Sequence, residues 1–72
     1  GPIGGIRQKL AGARDAGATL FLMPQAHCAE AAGHVPQGLT VVPVTTLAQA
    51  VSAVEDYDAG RALPGCPVDA AA

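Results

Sequence analysis

Lys9 is the only lysine of the chain, and three residues separate it from the glycine pair Gly4-Gly5. Adjacent glycines let the backbone turn sharply and approach a neighbouring strand, and a helix that starts there directs its first turns toward the crevice beside it. A lysine amine acts as a general base in its neutral form, which burial favours because desolvation disfavours the ammonium ion. Within hydrogen-bond reach of a serine hydroxyl, Lys9 could take its proton in acyl transfer and return it to the leaving amine. The alternative is that Lys9 is a solvated surface residue, as a lone lysine on a helix usually is.

Five further residues have side chains that bind metals or react, but they show no recognised zinc-ligand spacing, so we expect no metal site. We expect the two histidines to be polar surface groups and the glutamate to be a solvated helix residue. The two cysteines could form a disulfide, as in an oxidising compartment, or could be two unpaired thiols, one of them a small core residue; both readings stay open. The five residues are His27, Cys28, Glu30, His34 and Cys66.

A helix and then a strand are predicted in the first part of the chain. Apolar residues recur at helical spacing over residues 6–16, which predicts a helix closed by Gly17. The continuous apolar run over residues 18–23, ended by Pro24, is typical of a strand buried on both faces of a parallel sheet. The helix residues expected to face that sheet are Ile6, Leu10 and Ala13.

A second short helix and a second strand follow. Residues 25–32 are rich in alanine and precede Gly33, which predicts a helix closed by that glycine. The β-branched run over residues 39–44 predicts a strand, but its internal Pro43 lacks a backbone donor. We therefore expect this strand either to lie at a sheet edge or to be short, and we expect it to end at Val42.

A third helix is predicted from the capping-box pattern of Thr46 and Gln49. It should run to about residue 59 and stop at Gly60, and residues 61–72 should form a flexible tail. The order helix, strand, helix, strand, helix indicates an α/β fold. The residues expected to share one apolar face of the third helix are Leu47, Ala50, Val51 and Val54.

Composition excludes several classes of function. Four basic residues and a net charge of -2 argue against a nucleic-acid surface, which needs clustered cations. The longest apolar stretch, residues 18–24, is far shorter than the roughly 20 residues that span a bilayer, so we expect no direct membrane contact by this segment. A chain of 72 residues buries only about 60% of its unfolded surface, which favours a part of a larger core.

The opening segment resembles a known motif. Pro2-Ile3-Gly4-Gly5-Ile6-Arg7-Gln8-Lys9 is similar to the lysine motif of Lon-type serine peptidases, in which a proline and a hydrophobic residue precede Gly-Gly, three residues and lysine. The resemblance covers residues 1–59 in motif and element order, and it departs at Arg7, where the family often has lysine. It implies that Lys9 is the catalytic lysine of a serine-lysine dyad, and that residues 1–60 are the C-terminal part of a Lon proteolytic domain, incomplete without upstream strands.

The family places its nucleophilic serine and oxyanion donors in an upstream motif, so the resemblance implies that the segment alone is inactive. Ser52, the only serine, falls in the third helix without a glycine-bearing turn and cannot be that nucleophile. The implied parent is an endopeptidase that cleaves protein or peptide substrates and forms homo-oligomers. It needs no cofactor, except ATP if it carries an ATPase domain.

A finer resemblance concerns the kind of parent. The alanine-rich, lysine-poor composition, with His27-Cys28-Ala29-Glu30-Ala31 after the first strand, looks like the actinobacterial Lon-like peptidases that join a membrane anchor and a PDZ domain to this peptidase domain. It implies an anchored, extracytoplasmic parent, and a cytoplasmic parent is the alternative. Two other functions stay open: a non-peptidase Lon-fold binding or assembly module, and a small structural domain. A serine in an upstream Gly-Pro-Ser-Ala-like turn would favour the peptidase.

Overall fold

The computed structural model describes residues 5–66. Residues 2–4 of the Lon-like motif, and residues 67–72 of the expected tail, lie outside this range. Within it the chain is a mixed α/β structure with the expected element order. Its longest helix has 12 residues, and none of the described helices is long and apolar enough to cross a membrane. The elements are α1 (Gly5–Asp15), β1 (Leu20–Pro24), a 3₁₀ turn (Gln25–His27), α2 (Cys28–Ala31), β2 (Thr40–Val44) and α3 (Leu47–Asp58).

The two strands form a parallel pair in which Leu20 lies opposite Thr40 and Pro24 opposite Val44. The Thr40 N–H donates to the Thr19 carbonyl across this pair at 2.9 Å. Since successive backbone nitrogens of a strand point to opposite sides, the Val41 N–H and the Pro43 nitrogen, which carries no hydrogen, face away from β1.

The strand therefore loses no ladder hydrogen bond at Pro43 and continues to Val44. The expected edge position of β2 is confirmed within the described sheet, and the expectation that it ends at Val42 is wrong. The proline lies where its missing donor faces the unpaired outer edge, which is where sheets tolerate proline.

Helices cover both faces of the sheet. On one face α1 and α2 pack over the strands, and Phe21 and Val41 adjoin the core formed there. On the other face α3 packs on β2, where Val42 and Ala53 are both buried. Because successive side chains of a strand point to opposite faces, Val41 faces α1 and α2 whereas Val42 faces α3. The core residues on the α1 and α2 face are Ile6, Leu10, Met23, Cys28, Ala31 and Leu39.

The orientation of α3 differs from the sequence prediction. Its buried residue is Ala53, whereas Leu47, Val51 and Val54 are exposed. At 3.6 residues per turn, Val54 lies about 100° around the helix from Ala53, so burying the small residue against β2 turns the apolar stripe outward. For the same reason Leu22 is only half-buried, and β1 is not buried on both faces as expected.

Candidate functional site around Lys9 and the second face of the sheet

Lys9 lies in α1, whose first described residue is Gly5. Ile6 and Leu10 are buried against the strands and hold the helix on the sheet, and Ala13 is half-buried on the same side. Around the helix axis Lys9 lies about 60° from Ile6, on the flank of the buried stripe. The helix therefore places the amine beside the sheet and does not direct it into the core.

The Lys9 side chain is exposed. Among residues 5–66 it takes part in no side-chain hydrogen bond and no ion pair. It also does not line the cleft between α3, β2 and the segment after α3, nor the pocket beside Cys28 and Cys66. The described residues therefore leave the amine in contact with water, and an amine in this setting has no group to deprotonate.

Ser52 lies on the other side of the sheet from Lys9. It is exposed in the middle of α3, next to Ala53, which is buried on the face of the sheet that Val42 also occupies. The α1 helix instead packs with Met23 on the opposite face. The sheet thus separates Ser52 from Lys9, and the two cannot act together within this chain.

A cleft of about 470 Å³ lies between α3, β2 and the segment after α3. No sequence pattern predicts this cleft, because it depends on where residues 64 and 65 come to lie. Gln25, Gln49, Ser52 and Asp56 contribute its polar groups. The apolar lining consists of Val42, Pro43, Val44, Ala48, Ala53 and Pro64, together with Gly65.

The cysteine alternatives are decided in favour of a disulfide. Cys28 and Cys66 are bonded, with their Cα atoms 5.5 Å apart across a sequence separation of 38. Cys28 is 2% exposed and belongs to the core under α2. The bond therefore ties the segment after α3 to the face of the sheet opposite α3.

The remaining candidates for metal binding do not gather into a site. Within residues 5–66 no group of three or more histidine, cysteine, aspartate or glutamate side chains could hold a metal ion. His27 and His34 are exposed. Glu30, expected to be solvated, is half-buried, and its Oε2 atom is enclosed without a hydrogen-bond partner among the described residues. This difference arises because α2 packs against α1, where the Arg7 Nε donates to the Glu30 carbonyl oxygen at 3.3 Å.

Comparison of the chain with models of known protein families, with curated proteins and with solved structures found no significant match. What the structure itself establishes is a small α/β unit with a two-stranded parallel sheet between helices. Membership of the Lon-type family, which the lysine motif suggests, is therefore a proposal.

Proposed function

We propose that this chain is the lysine-bearing part of a Lon-type serine endopeptidase, in which Lys9 is the general base of a serine-lysine dyad. The observation that carries the proposal is the Gly4-Gly5 pair followed at family spacing by Lys9. In support, Gly5 and Lys9 lie in one helix, which holds Lys9 on its flank beside a parallel sheet. The cleaved bonds would be peptide bonds of protein substrates, and the parent would act as a homo-oligomer.

The proposed chemistry needs a second part of the protein. The serine belongs to sequence upstream of Gly1, in a turn that covers the exposed amine of Lys9. Covering the amine removes water from it and disfavours its ammonium form, so that it can accept the serine proton. The same nitrogen then returns the proton to the leaving amine of the substrate, and donors from the upstream part stabilise the oxyanion.

A non-peptidase Lon-fold module is the alternative, and the exposure of Lys9 is the observation that favours it. In such a module Lys9 would be a solvated lysine, and nothing would cover its amine. The two functions differ in what they require of this side chain, since a base must lose its proton whereas a solvated cation need not.

The discriminating experiment replaces Lys9 by alanine and by arginine in the intact parent protein. Arginine keeps the charge and much of the length but stays protonated, so it cannot act as a base. If Lys9 is the base, both variants should lower kcat for a protein substrate by about 10⁴-fold or more, as removal of one member of a catalytic unit does. Circular dichroism should show both variants folded, because Lys9 is exposed.

Gln8→Ala is the matched control, since Gln8 is the exposed neighbour of Lys9 on the same helix. It should retain wild-type turnover. Near wild-type activity of Lys9→Arg would contradict the dyad and support a solvated lysine. A parent without any hydrolytic activity would support the binding or assembly module.

A further inference from the structure

The segment after α3, residues 61–66, crosses from one face of the sheet to the other. It leaves α3, which packs on the Val42 face, and reaches Cys28 on the α1 and α2 face through the disulfide of Cys66. Chain that joins the two faces of a sheet passes around one of its edges or around the ends of its strands.

The edge that it passes is that of β2. Pro64 and Gly65 line the 470 Å³ cleft together with Pro43, and Cys66 lines a second pocket together with Val41. Val41 and Pro43 are the two residues of β2 whose backbone groups face away from β1. The segment therefore covers the unpaired edge of the strand without adding to the sheet, which is one way in which proteins protect such edges.

Few contacts besides the disulfide hold residues 61–66 against the sheet. At its root, the Arg61 N–H donates to the Asp56 carbonyl at 2.8 Å, and the guanidinium pairs with the Asp56 carboxylate at 2.8 Å. Beyond that point, residues 62–66 make no hydrogen bond to the other described residues. Leu63 is half-buried, and the rest of residues 62–66 are exposed.

We propose that residues 61–66 are a redox-controlled strap, held over the β2 edge by the Cys28–Cys66 disulfide and released when that bond is reduced. Release removes the Pro64-Gly65 wall of the cleft and exposes the outward N–H and C=O groups of Val41 and the outward C=O group of Pro43. An edge of this kind can pair with an extended segment. The strap thus makes access to this side of the molecule depend on the redox state of its surroundings.

The reductant is a dithiol, and the step is a thiol–disulfide exchange. Because Cys28 is buried and Cys66 belongs to the exposed segment, the dithiol's thiolate attacks the Cys66 sulfur. That attack breaks the S–S bond, and Cys28 leaves as a thiolate that takes a proton from water. The second thiol of the reductant then displaces Cys66 as a thiol. Two electrons pass from the dithiol to the protein, and the reductant ends as a disulfide.

The test measures backbone amide order parameters of the ¹⁵N-labelled chain by NMR, with and without dithiothreitol. We expect the amides of residues 62, 63, 65 and 66 to be ordered in the oxidised chain and to fall below about 0.6 on reduction. Those of Phe21 and Val42, in the strand ladder, should stay near 0.85 in both states. Unchanged order in the segment would overturn the proposal. So would loss of the ladder signals together with it, because the bond would then hold the whole fold.

Two variants separate the disulfide from the other contacts. Cys66→Ser should show the mobile segment without reductant and should not respond to dithiothreitol. Asp56→Asn removes the ion pair at the root of the strap, and its oxidised form should keep residues 62–66 ordered because exposed pairs contribute little. If the oxidised Asp56→Asn chain is as mobile as the reduced wild type, the ion pair holds the segment and the proposal fails.

Discussion

Gly38 is a residue whose importance is visible only in three dimensions. Its φ of +89° is a conformation that side chains with a Cβ rarely adopt. A Cβ at this position would come within 2.8 Å of the Arg14 Nη2 atom. The Arg14 Nη1 in turn donates to the Ala18 carbonyl at 3.1 Å, between α1 and β1. This guanidinium therefore lies between the end of α1 and the turn before β2.

Gly38→Ala should lower the free energy of unfolding by about 1–2 kcal/mol, the cost of holding a residue with a Cβ in the left-handed region. Gly12→Ala is the matched control, because Gly12 lies inside α1 and an added Cβ meets nothing within 4 Å. That control should raise stability by about 0.5–1 kcal/mol through the better helix propensity of alanine. Urea denaturation measures both, and a Gly38→Ala chain as stable as the wild type would contradict the expected strain.

Among the elements, α3 has the best-defined start. The Thr46 Oγ1 accepts a hydrogen bond from the Gln49 N–H at 3.1 Å, as the capping pattern predicts. The reciprocal bond differs from the prediction, because the Gln49 Oε1 accepts from the N–H of Thr45, at 2.7 Å, and not from that of Thr46. The Thr45 hydroxyl donates to the same oxygen at 2.9 Å. The Gln49 side-chain oxygen therefore accepts two hydrogen bonds from Thr45, which hold it beside that residue. The result ties the end of β2 to the first turn of α3.

Thr46→Ala should lower the free energy of unfolding by about 1 kcal/mol, because the N–H of Gln49 loses its acceptor at the helix start. Ser52→Ala provides the comparison within the same helix. Its hydroxyl is exposed in the helix interior, so the change should be close to zero or slightly stabilising. Thermal unfolding followed by circular dichroism measures both, and equal effects of the two substitutions would show that the cap does not stabilise α3.

Burial is uneven across residues 5–66. The larger core lies between the sheet and the pair α1 and α2, whereas the α3 face buries little beyond Val42 and Ala53. In the chain-entropy model a disulfide closing a loop of 38 residues contributes about 4 kcal/mol. That is a large share of the roughly 4–11 kcal/mol expected for a domain of this length. Reduction should therefore lower the free energy of unfolding by about 4 kcal/mol, while the core under α1 and α2 keeps the strand ladder formed.

Leu47→Lys tests this distribution, because Leu47 is 81% exposed. In this chain it should change the free energy of unfolding by less than about 0.5 kcal/mol, as surface substitutions do. Leu10→Ala, at a position that is 0% exposed, should lower it by about 2–5 kcal/mol. Urea denaturation monitored by circular dichroism gives both values, and a large loss for Leu47→Lys would contradict the described orientation of α3.

The same substitution is informative in the longer Lon-type peptidase that we propose as the parent of this chain. If upstream strands extend the sheet and cover α3, Leu47→Lys should be costly there although it is tolerated in the isolated chain. Equal tolerance in both proteins would show that the apolar stripe of α3 stays exposed in the parent.

The order and type of the elements followed from the sequence, because they depend on neighbouring residues. Spacing of apolar residues predicted α1 around Lys9, and the Thr46 pattern predicted the start of α3. The same local reasoning placed Pro43 at an edge but ended its strand too early. A local pattern shows that proline lacks a donor, but only the pairing shows which side of the strand that donor would have faced.

The sequence by itself determined the Gly4-Gly5 to Lys9 spacing and the presence of two cysteines, and it left the role of each open. Only the tertiary structure decided that Cys28 and Cys66 meet, that Ser52 and Lys9 lie on opposite faces, and that Leu47 is exposed. These facts depend on how elements far apart in sequence pack on a shared sheet. One face of α3 carries alanine and another carries valine, and the helix can pack against the sheet through either face. Which face is buried depends on the width and neighbours of the sheet, and these are not properties of the helix sequence.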